Sequence, residues 1–184
     1  MNVIPTKISG VIIIEPQVFE DTRGFFFEAY SEAKYQEVLK TTFVQDNISR
    51  STYGVLRGLH FQAAPYAQAK LVEVLKGHIL DIAVDLRPGS DTYGQHVAFD
   101  LSDQNHRQLF IPKGLAHGFI TLSESAILHY KCDDYYHPES ERGIIWSDQT
   151  LNIQWPIDAD HIILSEKDSK HPTFIEYQRL HDII

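Results

Sequence analysis

One segment, GVLRGLHFQ, places a histidine and an arginine inside an otherwise apolar run that also contains glycines. Burying either side chain without a partner would cost free energy, so both are candidates for a functional site. His60 is the leading candidate for a catalytic base, because an imidazole titrates near neutral pH. A single histidine in a strand can also be a satisfied structural residue, and this segment alone leaves both interpretations open.

Two further polar side chains share strand parity with apolar neighbours, and side chains of one parity lie on one face of a strand. In KLVEVLKG, Lys70 has the parity of Val72, which predicts an ammonium group that projects into an apolar cavity. In SAILHYKC, Tyr130 has the parity of Leu128 and Cys132, which predicts a phenol on the apolar face. A surface lysine and a core tyrosine with one hydrogen bond are the structural alternatives.

Asp81 and Arg57 are harder to place from parity. Asp81 lies opposite the apolar row of HILDIAVDL, on a face that can line a cavity or meet solvent. Strict alternation puts Arg57 on the face opposite to His60. Both can reach one cavity only if a β-bulge intervenes, and Gly58 is the expected position because glycine often marks a bulge.

The segment IPKGLAHGF carries the P-x-G-x-x-H signature of the second cupin motif, which ends at His117. A metal-binding cupin also needs a His-x-His pair, but His60 is followed two positions later by Gln62, and Glu73 alone cannot replace an imidazole. We therefore expect no transition-metal site. The chain also lacks a Gly-x-Ser-x-Gly elbow, a phosphate-binding glycine loop and a Gly-x-Gly-x-x-Gly fingerprint, so hydrolase, NTPase and nicotinamide-dependent chemistry lose their usual support, and we expect no cofactor.

The elements that position these residues belong to a chain of 184 residues with a formal charge of −9 and one cysteine, Cys132. This length suits one compact domain, and we expect a single domain over residues 1–184. The acidic balance disfavours a nucleic-acid partner, and no apolar run approaches the roughly 20 residues that cross a bilayer. A single cysteine cannot form an internal disulfide and the start MNVIPTKISG lacks a signal-peptide pattern, so we expect a cytoplasmic location.

Short β-branched and aromatic runs separated by Gly, Pro, Asp and Ser clusters predict an all-β fold. The expected strands are residues 11–15, 24–30, 55–61, 71–75, 79–86, 97–101, 108–111, 118–122, 126–132 and 144–146. A cupin-type double-stranded β-helix, or jelly roll, with a few short peripheral helices fits this pattern, and its interior mouth is a natural ligand cavity.

Two segments have helical rather than strand spacing. Residues 31–40 predict a short covering helix with Ser31 as the N-cap. The tail from about residue 172 predicts a second amphipathic helix with apolar positions at Phe174, Ile175, Tyr177, Leu180 and Ile183.

Several segments together resemble the dTDP-4-dehydrorhamnose 3,5-epimerase family in order and spacing, over about residues 10–172. They are DTRGFFFEAY, QDNISRSTYGVLRGLHFQ, KLVEVLKGHILDIAVDLRPGSDTYG, IPKGLAHGF, YKCDDYY and ILSEKD. The resemblance implies a cofactor-independent isomerase that inverts C3 and C5 of dTDP-4-dehydro-6-deoxy-D-glucose in dTDP-L-rhamnose biosynthesis.

The resemblance also implies roles for individual residues. It makes His60 the catalytic base, Asp168 the carboxylate that orients it, Tyr130 the proton donor and Lys70 the cation near the keto oxygen. Further substrate-site residues implied in the same way are Gln45, Asn47, Arg57, Asp81, His117, Glu141 and Lys167. A neighbouring subunit of a homodimer is expected to supply Arg23, Phe26 and Glu28 to the nucleotide site.

Three rival functions stay open at this point. A relative could invert C3 alone or act on another deoxysugar nucleotide, and the sequence separates these poorly. A catalytically silent cupin that only binds a sugar nucleotide is disfavoured by the joint presence of His60, Asp168, Lys70 and Tyr130. A metal-dependent cupin oxygenase is disfavoured by Gln62.

Overall fold

The computed structural model describes residues 1–180, most of which lie in strands or in the turns between them. The strands are β1 (Asn2–Pro5), β2 (Ile12–Glu15), β3 (Phe19–Asp21), β4 (Gly24–Phe26), β5 (Gln45–Thr52), β6 (Leu56–Gln62), β7 (Lys70–Lys76), β8 (His78–Asp85), β9 (His96–Ser102), β10 (Gln108–Ile111), β11 (Leu115–Thr121), β12 (Ser125–Cys132) and β13 (Glu141–Gly143). The helices are α1 (Glu32–Leu39) and α2 (Phe174–Leu180), with short 3-10 turns at Pro138–Ser140, Ala159–His161 and Asp168–Lys170.

The strands form two antiparallel sheets and a separate hairpin of β3 and β4. The first sheet has the order β1-β2-β10-β7-β12-β5, and the second has the order β13-β6-β11-β8-β9. Within them, β5 to β12 fall into two sets of four, and the chain crosses between the sets at every step except β8 to β9. This is jelly-roll connectivity, so the all-β jelly-roll prediction is confirmed.

Four apolar clusters are present in the described residues, and three of them hold the layers together. Between the sheets, Val72 and Leu128 pack with Ile79 and Phe119. The outer face of the second sheet is covered by the C-terminal segment, which brings buried residues such as Leu151 and Phe174 against Leu59, Ile82 and Val84. The outer face of the first sheet is covered by α1, whose Tyr35 and Leu39 pack with Leu71 and Phe110. Burial on this scale is the dominant favourable term in folding.

The two helices lie where helical spacing occurs in the sequence. Ser31 occupies the N-cap position of α1, although its side chain makes no capping hydrogen bond. Helix α2 buries Phe174, and Ile183, which the sequence places in the same pattern, lies outside the described residues. Within residues 1–180, no helix is long and apolar enough to span a bilayer.

The predicted strand at residues 144–146 is wrong. The strand is β13, which pairs with β6 just before this run. Ile144 still exchanges backbone hydrogen bonds with Leu59, but the N–H of Ile145 donates to the carbonyl of Pro172 instead of to a sheet partner. The run is apolar because the C-terminal segment buries it, not because it continues the sheet.

The predicted strand at residues 24–30 ends early, and β1, β3 and β5 were not predicted. Strand β4 stops at Phe26, and the chain then leads into α1. β1 and β3 are short and mostly exposed, so they carry little hydrophobic pattern.

Candidate active site

A cavity of about 320 Å³ opens between the two sheets, with walls from β5, β6, β7, β12 and β13 and from adjoining loops. Its lining residues are Gln45, Asn47, His60, Phe61, Gln62, Gln68, Lys70, Tyr130, Cys132, Tyr136 and Glu141. Six of the sequence-predicted site residues are in this set: Gln45, Asn47, His60, Lys70, Tyr130 and Glu141. The volume lies near the lower end of the range typical of small-molecule sites.

His60 is held by a carboxylate that comes from far along the chain. Its Nε2 lies 2.5 Å from Oδ1 of Asp168, which belongs to the 3-10 turn after the ILSEKD segment. The Asp168 side chain is 4% exposed and that of His60 is 28% exposed, so the pair is shielded from bulk water on the carboxylate side only. Burial alone would raise the pKa of Asp168, but the imidazoles of His171 and His60 hold that pKa well below its usual range. The carboxylate therefore stays charged and can stabilise an imidazolium.

Lys70 and Tyr130 reach the cavity from adjacent strands, as their parity predicts. Lys70 lies 5.9 Å above the Tyr130 ring, measured from Nζ to the ring centroid. Burial lowers the pKa of Lys70, and nearby Cys132, Asp81 and Glu141 oppose that shift. Burial raises the pKa of Tyr130, so its phenol keeps its proton near neutral pH.

Neither Lys70 Nζ nor the Tyr130 hydroxyl has a hydrogen-bond or ion-pair partner within residues 1–180. Nδ1 of His60 is likewise free there, since the ring bonds to Asp168 through Nε2. All three side chains line the cavity and are only partly buried, so water or a ligand in the cavity can reach them. These three atoms are therefore available to a substrate.

A β-bulge at Gly58 brings Arg57 to the same face as His60, as expected. On β11, His117 pairs with His60 and Phe119 pairs with Arg57, so Gly58 and Leu59 of β6 together oppose the single residue Gly118 of β11. Gly58 has φ of +126°, and a Cβ there would lie 2.5 Å from Cα of Gly118. Only glycine fits this backbone. Arg57 itself is exposed and donates from Nε to the Ser51 hydroxyl at 3.1 Å.

His117 and Asp81 form a buried pair next to the cavity rather than in its lining. Nε2 of His117 lies 2.8 Å from Oδ1 of Asp81, and Asp81 is 0% exposed. His117 sits opposite His60 across β11 and β6, so the pair lies next to His60 in the second sheet. The second carboxylate oxygen of Asp81 has no partner in the described residues.

Glu141 connects the cavity to its rim. Its carboxylate accepts from the Tyr136 hydroxyl at 2.5 Å and forms an ion pair of 2.5 Å with Lys167. Lys167 directly precedes Asp168, so this ion pair ties the turn that carries the carboxylate to β13.

Gln62, which breaks the His-x-His pair, has a structural role. Its amide nitrogen donates to the carbonyls of Tyr66 and Tyr135 at 2.9 and 3.2 Å, and its oxygen accepts from the N–H of His137 at 2.6 Å. The side chain therefore joins two loops at the rim of the cavity. Glu73 is on the far face of the first sheet, bonded to His129 at 2.7 Å.

Three potential metal-ligand atoms, from His60, Asp168 and His171, lie within 4.8 Å of one another. The 2.5 Å between His60 and Asp168 is a hydrogen-bond separation. Two ligands that share a tetrahedral ion at about 2.0–2.2 Å each would lie more than about 3 Å apart. The geometry thus favours a base with its orienting carboxylate over a metal centre.

Arg23, Phe26 and Glu28 do not line the cavity of their own chain. Arg23 and Phe26 lie on the β3–β4 hairpin, where Arg23 pairs with Asp21, and Glu28 pairs with Lys34 at 2.7 Å. The hairpin exposes Phe19, Phe25 and Phe26 at 56%, 58% and 69%. Such an exposed aromatic patch is unusual for a free surface.

Sequence reasoning missed several residues of the site, among them Gln62, Gln68, Tyr136 and His171. Gln62 was considered only as a missing metal ligand. Gln68 and Tyr136 lie in loops, where no periodicity shows which way a side chain points. The parity of Cys132 with Tyr130 was the one signal that could have placed the thiol in the lining.

Known proteins are similar to this chain in sequence and in fold. The profile of the family described as dTDP-4-dehydrorhamnose 3,5-epimerase matches residues 5–176. A curated relative of that name from Escherichia coli K12 is 50% identical over 182 residues, which are 98% of each chain. One from Methanothermobacter thermautotrophicus is 53% identical over 167 residues, which are 90% of each chain. A crystal structure of dTDP-6-deoxy-D-glucose-3,5-epimerase from Legionella pneumophila, in complex with dTDP-4-keto-L-rhamnose, is 50% identical, with a TM-score of 0.90 over 94% of this chain and 92% of that one. This chain therefore belongs to the dTDP-4-dehydrorhamnose 3,5-epimerase family.

Proposed function

We propose that this protein is an isomerase that converts dTDP-4-dehydro-6-deoxy-D-glucose to dTDP-4-dehydro-L-rhamnose by inverting C3 and C5, in dTDP-L-rhamnose biosynthesis. One observation carries the proposal. His60, hydrogen-bonded to Asp168, lines the same cavity as Lys70 and Tyr130, whose polar atoms have no hydrogen-bond partner in the described residues. Membership of the epimerase family supports the substrate class.

The chemistry needs a base, an oxyanion partner and an acid. The 4-keto group of the sugar acidifies the C–H bonds at C3 and C5, and each inversion passes through an enolate. His60 takes the proton on Nδ1, because its Nε2 is engaged with Asp168, and the charged carboxylate stabilises the resulting imidazolium. Lys70 stabilises the enolate oxygen, and Tyr130 returns a proton to the opposite face.

No cofactor or metal is needed for this sequence of steps, because the proton that leaves carbon and the proton that returns are both carried by side chains. Treatment with a chelator should leave turnover unchanged. Activity lost to chelation and restored by one stoichiometric metal would contradict this expectation.

The remaining predicted residues are proposed to bind the nucleotide and to position the sugar. Within one chain these are Gln45, Asn47, Arg57, Glu141 and Lys167, with Asp81 and His117 as support. We further propose a cytoplasmic homodimer in which Arg23, Phe26 and Glu28 reach the neighbour's nucleotide. The exposed aromatic hairpin supports that arrangement, since large exposed apolar patches mark interaction sites.

Proton NMR of the dTDP-ketosugar with the purified protein in heavy water tests the function. Wild type should exchange and invert both C3 and C5. Exchange and inversion at C3 alone would make the protein a C3 epimerase, and binding without exchange would make it a sugar-nucleotide-binding protein.

The same assay tests the roles of acid and base. His60→Ala should abolish exchange and inversion, because no enolate forms. Tyr130→Phe removes only the hydroxyl, so deuterium should still enter recovered substrate while little epimer appears. If Tyr130→Phe epimerises near the wild-type rate, or His60→Ala keeps rapid exchange, the assignment is wrong.

A further inference from the structure

We propose that His171 is a positioning residue that lowers the base strength of His60 through the carboxylate the two histidines share. This inference rests on the proposed function, in which His60 removes the substrate proton. It concerns a second imidazole, outside the cavity lining, that the proposed mechanism does not use.

The geometry singles out His171. Its Nε2 lies 3.6 Å from Oδ1 of Asp168, the same oxygen that bonds to His60. The His171 side chain is 10% exposed, and Nε2 has no hydrogen-bond partner in the described residues. The rings of His60 and His171 meet edge to face, with centroids 5.3 Å apart.

The ring also packs closely against the backbone of β13. A Cβ at Gly143 would lie 2.5 Å from two atoms of the His171 imidazole, so the absence of a side chain on β13 makes room for this ring. The carbonyl of the next residue, Pro172, accepts a hydrogen bond from the N–H of Ile145, which anchors the backbone beside His171.

Two effects of His171 act on His60 in one direction. With its proton on Nε2, a neutral His171 points a positive dipole at Oδ1 and weakens the stabilisation that Asp168 gives to the His60 imidazolium. A protonated His171 adds direct repulsion between two cations. Both lower the pKa of His60 and keep it unprotonated, and hence active, to lower pH.

The other charged groups near His60 belong to other residues of the site and are not changed when His171 is replaced. Titratable and charged groups face this pair of histidines from several elements. They are Asp168 on the 3-10 turn, Lys70 on β7, Tyr130 and Cys132 on β12, Tyr136 in the loop after β12, Glu141 on β13 with its partner Lys167, and His117 on β11 with its partner Asp81 on β8. A change in the titration of His60 on replacing His171 alone is therefore attributable to His171.

The test is the titration of His60 in the free protein, followed by ¹⁵N NMR of the histidine rings and assigned with His60→Asn. In His171→Phe, which keeps a ring but removes both nitrogens, the pKa of His60 should rise by roughly 0.5 to 1 unit, less than the 1–3 units of a full charge at contact. The acidic limb of kcat/KM should move to higher pH by the same amount, which lowers kcat/KM about 3- to 10-fold below that limb.

Matched variants separate tuning from packing. His171→Gln retains an N–H donor near the Nε2 position and should keep the pKa of His60 closer to wild type than His171→Phe does. His78→Phe, in the surface pair of His78 with Asp100 at 2.7 Å, should leave the His60 titration unchanged. If His171→Phe does not fold, His171→Ala tests the same shift.

Lower stability of the His171 variants with an unchanged His60 titration would overturn the inference and leave His171 a packing residue. A fall in the pKa of His60 would overturn it as well. The titration needs no substrate, so it decides the role of His171 even if the wild-type protein fails to turn over the sugar nucleotide, which would count against the proposed function instead.

Discussion

Lys70 begins β7 on a face where the next inward residues, Val72 and Val74, belong to the core between the sheets. A long cationic side chain at such a position is normally unfavourable, because burial penalises its charged form. The described residues give its ammonium no ion-pair partner, although an enolate oxygen in the cavity would be one. Stability therefore does not explain the lysine, and its position fits the role proposed for it at the enolate oxygen.

Replacing Lys70 with Met should lower kcat by about 10²–10³-fold, the range seen on removing one oxyanion donor. The apolar side chain should also stabilise the fold slightly, because no charge then needs to be buried. Steady-state kinetics and urea unfolding measure the two effects. Lys76→Met, at the exposed end of the same strand, is the control and should change neither. A Lys70→Met protein with kcat within threefold of wild type would remove Lys70 from the mechanism.

Strand parity predicts the direction of a side chain only on strands that have a clear apolar face. Lys70 and Tyr130 follow the pattern of Val72 and Leu128, and their inward position could be predicted from the sequence. His171 could not, because it follows a 3-10 turn and owes its position to contacts with β6 and β13. The link between Asp168 and His60 came from family resemblance, since no local rule joins residues 108 positions apart.

At the scale of elements, β5 was not predicted as a strand because its sequence has no apolar face. Its inward-facing positions are Gln45, Asn47, Ser49 and Ser51, which are polar. Gln45 and Asn47 line the cavity, where polar side chains can face water or the proposed substrate. A strand that faces a binding site on one side and solvent on the other has no hydrophobic alternation to detect.

The turn RPGSDTYG after β8 depends on one carboxylate. Asp85 is 0% exposed and accepts from the backbone N–H, Nε and a terminal nitrogen of Arg87, and from the hydroxyls of Ser90 and Thr92 at 2.7 and 2.6 Å. Burial alone would raise the pKa of Asp85, but these hydrogen bonds outweigh burial and hold that pKa well below its usual range. The turn is therefore stabilised only while Asp85 is ionised.

Asp85→Asn should lower the free energy of unfolding by about 3 kcal/mol at pH 7. The amide N–H₂ would face groups that are themselves hydrogen-bond donors, and Arg87 would lose its buried ion-pair partner. A depressed folded-state pKa stabilises the protein above the unfolded pKa, about 3.9, and this contribution is lost as the pH falls below it. The difference between wild type and variant should thus be constant above about pH 5 and shrink below pH 4. Urea unfolding across this range measures it.

Asp91→Asn, an exposed position in the same turn, should leave stability unchanged at every pH. A constant difference between wild type and Asp85→Asn down to pH 3 would mean that ionisation of Asp85 does not stabilise the turn.

At the scale of the molecule, the jelly roll supplies the cavity and the segments outside it complete the site. The C-terminal segment crosses the outer face of the second sheet, packs through Phe174, and delivers Asp168 and His171 behind His60. The N-terminal hairpin, in contrast, carries Arg23 and Phe26 away from the cavity of its own chain. The jelly roll could be predicted from the spacing of the strands along the sequence. The positions of the C-terminal segment and of the N-terminal hairpin could not, because they depend on long-range packing.

The proposed exchange of hairpins between subunits makes a specific prediction about mixed dimers. Arg23 is exposed, and among residues 1–180 it pairs only with neighbouring Asp21, so Arg23→Ala should not disturb the fold. If each nucleotide site combines the barrel of one chain with the hairpin of the other, a heterodimer of His60→Ala and Arg23→Ala chains contains one intact site and one doubly defective site. It should regain up to half of the wild-type kcat/KM, well above either parent.

The reciprocal heterodimer makes this test decisive, because it contains the same two substitutions in a different arrangement. A chain with both His60→Ala and Arg23→Ala, paired with a wild-type chain, leaves one defect in each of the two sites when hairpins are exchanged, so its activity should stay at the level of the single variants. If Arg23 serves its own chain instead, the pattern reverses: the wild-type chain keeps one intact site, and the two single variants never complement each other. Differently tagged chains, purified as verified heterodimers and assayed at a concentration where they do not re-sort, distinguish the two arrangements. Activity in the wild-type and double-variant pair, with none in the complementing pair, would refute a shared site.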